Sequence, residues 1–105
     1  MHRVLLLGAG KIGRMIARLL VDSGDYDVVV GDASAAALDR IATRIGVKTV
    51  MVNVEDAREL SVALAGRDTV ISALSFYHNP RVAEAALAAG ASYFDLTEDV
   101  ETTRR

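Results

Sequence analysis

A short apolar run, Val4-Leu5-Leu6-Leu7, feeds directly into Gly8-Ala9-Gly10-Lys11-Ile12-Gly13, and no other segment constrains the chain as strongly. Four consecutive apolar residues suit a strand buried on both faces. In the G-x-G-x-x-G that follows, the first glycine makes a tight turn. The second lets backbone approach a pyrophosphate, and the third lets the next helix pack closely on the strand. That helix would begin with unpaired N–H groups and the positive end of its dipole aimed at an anion, with Lys11 and Ile12 in its first turn. Glycines alone are a weak signal, so the flanking residues carry the argument. Ile12, Met15, Ile16, Leu19 and Leu20 recur at helical spacing and are expected to face the sheet. A second strand over 27–32 ends at Asp32, with Ala33 after it, about 20 positions beyond the glycines. A carboxylate there can accept both ribose hydroxyls of an adenosine and would repel a 2′-phosphate. The bland alternative is a glycine turn that serves packing alone, with Asp32 solvating a strand end.

The remaining chain keeps alternating strand and helix signals, the pattern of β-α-β units on a parallel sheet. Ser34 can cap a helix with Leu38, Ile41, Ala42 and Ile45 on one face and Gly46 at its end. A strand over 47–52 follows. Asp56 with Glu59 resembles a capping box ahead of Leu60, Ala63 and Leu64, and Gly66 closes that helix. A fourth strand over 69–74 leads to Asn79-Pro80, a cap and first-turn proline, with Val82, Ala83, Ala86 and Leu87 on the apolar side. Gly90 and a fifth strand over 92–96 complete the series. The expected fold is an α/β doubly wound parallel sheet, Rossmann-like, ordered 3-2-1-4-5 with helices on both faces.

In such a sheet ligands lie beyond the carboxyl ends of the strands. Asn53 and Val54, after strand three, are candidates for contact with an adenine; equally, Asn53 can end a strand and Val54 can be core. Ala73, Leu74 and Ser75, after strand four, are small enough to let phosphate and nicotinamide ribose pass near backbone, although crowding against the first helix would select the same sizes. His78 has no carboxylate or serine at an identifying spacing, so an exposed loop histidine is the simpler reading. Lys11 and Arg14 could neutralise phosphate or be ordinary surface charges. Asp95, Thr97 and Glu98 fall at the same sheet edge. No catalytic residue can be named.

The chain's 105 residues and 51% apolar content suit one globular domain. A net charge of −2 gives no general reason to expect nucleic acid or an anionic membrane as partner. Without cysteine there is no disulfide, thiolate nucleophile or Cys-ligated metal, which fits the cytoplasm. No run approaches a membrane span, and Met1-His2-Arg3 before residues 4–7 is too short to be a signal peptide.

The second half carries a family resemblance. Val70-Ile71-Ser72-Ala73-Leu74, Asn79-Pro80-Arg81-Val82-Ala83-Glu84-Ala85-Ala86 and Ala89-Gly90-Ala91-Ser92-Tyr93-Phe94-Asp95-Leu96-Thr97 resemble the saccharopine dehydrogenase-like NAD(P)-dependent oxidoreductases. The resemblance implies an N-terminal cofactor domain in which Gly8, Gly10, Gly13 and Asp32 bind the cofactor; Asp32 followed by Ala33 points to NAD, and Ser34 and Arg40 leave NADP open. It also implies a larger substrate and oligomerisation domain, which this chain does not contain, and hydride transfer on an amino-acid or 2-oxo-acid substrate in the longer parent. The competing expectation is a non-catalytic nucleotide sensor of the potassium-transport regulator type. A fifth-strand edge left uncovered, with Tyr93 and Phe94, is expected to favour a homodimer.

Overall fold

The computed structural model describes residues 2–74 and 79–95. These form β1 (His2–Leu7), α1 (Lys11–Ser23), β2 (Tyr26–Asp32), α2 (Ala35–Ile45), β3 (Lys48–Met51), α3 (Ala57–Leu64), β4 (Thr69–Ser72), α4 (Asn79–Ala89) and β5 (Ser92–Asp95). All five strands are parallel and ordered β3-β2-β1-β4-β5, as the alternating pattern predicts. Leu7 is in register with Gly31 on one side and Ser72 on the other, and Asp32 with Met51. The carboxyl ends of the strands therefore form one continuous edge.

The central strand explains why its sequence is apolar without alternation. Side chains of successive strand residues point to opposite faces, and both faces are covered. Leu5 and Leu7 join Val29, Val70, Leu60, Leu64, Val82 and Ala86 in the core beneath α3 and α4. Leu6 joins Val28, Val30, Ala17, Leu38 and Ile41 beneath α1 and α2. Fully burying a leucine or valine contributes roughly 1.5–3 kcal/mol, so this strand alone anchors both layers.

Two helices expose some of the apolar residues expected to face inward. In α1 the buried residues are Gly13 and Ala17, with Ile16 and Leu20 half-buried. Ile12, Met15 and Leu19 are exposed, at 49%, 60% and 66%. The physical reason is closeness: a Cβ at Gly13 would overlap the Gly8 carbonyl oxygen, so only a small-residue face can approach the turn. In α4, Val82 and Ala86 are buried while Leu87 is exposed, again because a line of small side chains meets the sheet. Capping is partly as expected. Ser34 Oγ accepts the Ala37 N–H at 3.1 Å, and Asp56 Oδ1 accepts those of Arg58 and Glu59 at 3.0 and 3.1 Å. Glu59, however, reaches past the cap residue and accepts the Asn53 N–H at 2.9 Å. No described helix is long and apolar enough to cross a membrane. No group of three or more His, Cys, Asp or Glu among the described residues could hold a metal ion.

Candidate functional site

Backbone hydrogen bonds carry the parallel ladders up to the carboxyl edge. The Gly8 N–H donates to Gly31 O at 2.8 Å, Ala73 N–H to Leu7 O at 2.8 Å, and Val52 N–H to Asp32 O at 3.1 Å. Gly8 then turns with φ +112°, a conformation that disfavours any side chain, and the added Cβ would also press on the Ala73 carbonyl. Gly10 caps α1 with extended backbone and no side-chain hydrogen bond. A Cβ there would meet nothing within 4 Å. The glycines thus separate by environment: Gly8 and Gly13 are enclosed by the fold, and Gly10 faces open space in front of the uncapped N–H groups of α1.

Asp32 is half-buried beside this turn. Its Oδ2 accepts the Ala9 N–H at 2.7 Å and its Oδ1 the Ser34 N–H at 2.8 Å. Each carboxylate oxygen keeps acceptor capacity for a further donor. The carboxylate is therefore fixed in place before any ligand arrives. Gly31 precedes it because a Cβ would come 2.9 Å from Val52 Cγ1 and 3.1 Å from Leu7 Cδ2.

A cleft of about 410 Å³ opens along this edge, lined by Gly31, Asp32, Ala33, Val52, Asn53, Val54, Glu55 and Leu74. That volume lies in the range of small-molecule sites. The structure therefore brings Asp32, Ala33, Asn53, Val54 and Leu74 to one cavity. Lys11, exposed at the start of α1, Ile12 and Ala73 lie at the adjoining glycine turn, on the same edge of the sheet. Ser75, His78, Thr97 and Glu98 lie outside the described residues.

The loop after β3 is more constrained than its sequence suggests. Asn53 Oδ1 accepts the Glu55 N–H at 3.0 Å, an Asx turn, while Arg81 Nη1 on α4 donates to Glu55 O at 3.1 Å. Val54 is both buried core and cleft wall. Glu55, Val52 and the bracing by Glu59 and Arg81 were not foreseen. Only the Asn-x-Glu spacing carried a hint, since Asn favours a bond to backbone two residues on.

Known proteins agree with this architecture. Residues 4–104 match the family described as the saccharopine dehydrogenase NADP binding domain. The chain belongs to that family. Among curated relatives, saccharopine dehydrogenase [NADP(+), L-glutamate-forming] of Saccharomyces cerevisiae is 31% identical over 84 residues, 80% of this chain and 19% of that protein. Mitochondrial alpha-aminoadipic semialdehyde synthase of Bos taurus is 28% identical over 87 residues, 82% of this chain and 9% of that protein. The solved apo structure of the yeast L-Glu-forming saccharopine dehydrogenase superimposes with a TM-score of 0.77 at 26% identity, covering 93% of this chain and 22% of that one. A Rossmann-fold NAD(P)-binding family protein from Shigella flexneri (TM-score 0.72, 21% identity, 100% and 58% coverage) shares the fold. The domain is thus of the nicotinamide-dinucleotide-binding type, and the sensor alternative is not favoured. It spans about a fifth or less of the curated relatives' length.

Proposed function

We propose that this chain is the cofactor-binding domain of a saccharopine dehydrogenase-like oxidoreductase, and that it holds a nicotinamide dinucleotide along the carboxyl edge of its sheet. The observation that carries the reading is the pairing of an open Gly10 with a fixed Asp32 carboxylate across one continuous edge. The pyrophosphate would lie over Gly8, Gly10 and Gly13 against the N–H groups opened by Lys11 and Ile12. Asp32 would accept the adenosine ribose hydroxyls, Ala33, Asn53 and Val54 would flank the adenine, and Ala73, Leu74 and Ser75 would border the nicotinamide side.

Of the two cofactors, the residues favour NAD. Ser34 Oγ accepts the Ala37 N–H of its helix cap and keeps its O–H for donation, while Arg40 lines a separate hollow with Asp39, Thr43 and Arg44. Arg40 therefore brings no positive charge to the cleft wall, and Asp32 would repel a 2′-phosphate. The family description and the yeast relative's name favour NADP instead. Calorimetric titration with NAD, NADP and ATP decides. Tightest binding of NAD supports the Asp32 role, NADP preference supports the family precedent, and ATP preference would restore the sensor reading. In addition, Asp32→Ala is expected to weaken NAD binding more than NADP binding; equal losses would remove the ribose role.

Hydride transfer supplies the chemistry when the cofactor is bound, on an amino-acid or 2-oxo-acid substrate held by a further domain of the longer parent. Because a positioned substrate is required as well as a nicotinamide, the chain alone is expected to bind without turnover. Steady NADH consumption with lysine-like amino acids and 2-oxo acids would overturn this.

A further inference from the structure

Resting on the dinucleotide reading, we infer that Glu55 is a second specificity determinant, which adds to Asp32 in disfavouring a 2′-phosphorylated ribose. Glu55 lines the same cleft as Asp32, and no Lys, Arg or His is among the described lining residues. Its position is held from both sides: Asn53 Oδ1 accepts its N–H and Arg81 donates to its carbonyl oxygen. Glu55 itself is exposed, next to the buried Val54. The guanidinium of Arg81 donates to the Glu55 carbonyl oxygen, and Arg81 does not line the cleft. Of the other acids on this segment, Glu59 accepts the Asn53 N–H and Asp56 accepts those of Arg58 and Glu59, and neither lines the cleft. Asp32 and Glu55 are thus the two acidic residues of the described cleft lining.

A cleft of this volume is under about 10 Å across, comparable with the Debye length near 0.1 M salt. A carboxylate on one wall is therefore incompletely screened from a phosphate on the other. NAD and NADP differ by that phosphate alone, so the effect belongs in their affinity ratio and not in binding overall. A solvent-exposed charge at this range should change the ratio about threefold, by Coulomb's law in a water-like dielectric.

The experiment measures the dissociation constants of NAD and NADP for the wild-type chain, Glu55→Gln and Asp25→Asn. Asp25 is an exposed acid at the opposite end of the sheet, in the turn entering β2. Glu55→Gln should raise the NADP-to-NAD affinity ratio about threefold at low salt, with the gain shrinking by about 0.5 M salt. Glu55→Asp should keep the wild-type ratio, and Asp25→Asn should leave it unmoved. If NAD binds the wild type and Glu55→Gln leaves the ratio unchanged, or Asp25→Asn moves it equally, the inference falls and the dinucleotide reading stands. If the wild type binds neither cofactor, the dinucleotide reading falls and takes the inference with it.

Discussion

A single methyl group distinguishes the work of Gly10 from that of Gly13. At Gly13 it would overlap the Gly8 carbonyl oxygen, which is backbone and cannot swing aside. Gly13→Ala should therefore cost about 3 kcal/mol or more, at the upper end of overpacking effects, and urea denaturation measures it. At Gly10 the methyl meets nothing. Gly10→Ala should change stability by less than about 1 kcal/mol, the scale of an N-cap substitution, yet weaken dinucleotide binding at least tenfold in the same titration, because it fills the space a phosphate needs. Unchanged binding in Gly10→Ala would move the pyrophosphate elsewhere. The glycine spacing made both positions legible in sequence. It did not reveal that the carboxylate of Asp32 is already clamped by the N–H groups of Ala9 and Ser34, because that contact depends on how two strand ends meet.

Strands and caps were easier to read than helix faces. The period of two and the apolar runs marked every strand, and Ser34 and Asp56 stand where caps were expected. Replacing either by alanine should lower stability by about 1 kcal/mol, seen as a shift in the urea midpoint. Helix orientation was misjudged where small residues face the sheet. Counting large apolar side chains put Met15, Leu19 and Leu87 inward; all three are exposed, while Gly13 and Ala17 are buried in α1, and Val82 and Ala86 in α4 are buried as expected. Leu19→Gln should accordingly change stability by less than about 0.5 kcal/mol, whereas Leu38→Ala should cost about 2–4 kcal/mol. At the amino edge, Asp68 ties three strands: its Oδ2 accepts the Arg3 N–H at 2.8 Å, its N–H donates to Arg3 O, and its carbonyl accepts the Ser92 N–H. The Arg3 hydrogen bond holds its carboxyl below the usual carboxylate range. A depressed folded-state pKa stabilises above the unfolded pKa, and that contribution is lost as pH falls through the folded value. Asp68→Asn should therefore flatten the acid limb of the stability profile below about pH 4, as followed by circular dichroism; an unchanged limb would deny Asp68 that part.

At the scale of the molecule, the sheet of the described residues runs from β3 on one side to β5 on the other. Phe94 on β5 is 57% exposed, and Tyr93 beside it is half-buried. An edge strand with apolar side chains is a template for association, and we propose that copies of this chain pair through it. Light scattering at high concentration should show a dimer that Phe94→Lys dissociates; a monomer throughout would remove the proposal. What the sequence alone determined is the topology: alternating strand and helix signals, a glycine turn after the first strand and an acid after the second leave one parallel sheet with one ligand edge. These features are local, set by side-chain period and backbone conformation. Tertiary structure decided which helix faces are buried, how the loop after β3 is braced by Glu59 and Arg81, and that Glu55 shares a cleft with Asp32. Apart from the Glu59–Asn53 bond, such contacts join residues far apart in the chain, and their geometry depends on how closely helices approach the sheet, which no local pattern encodes.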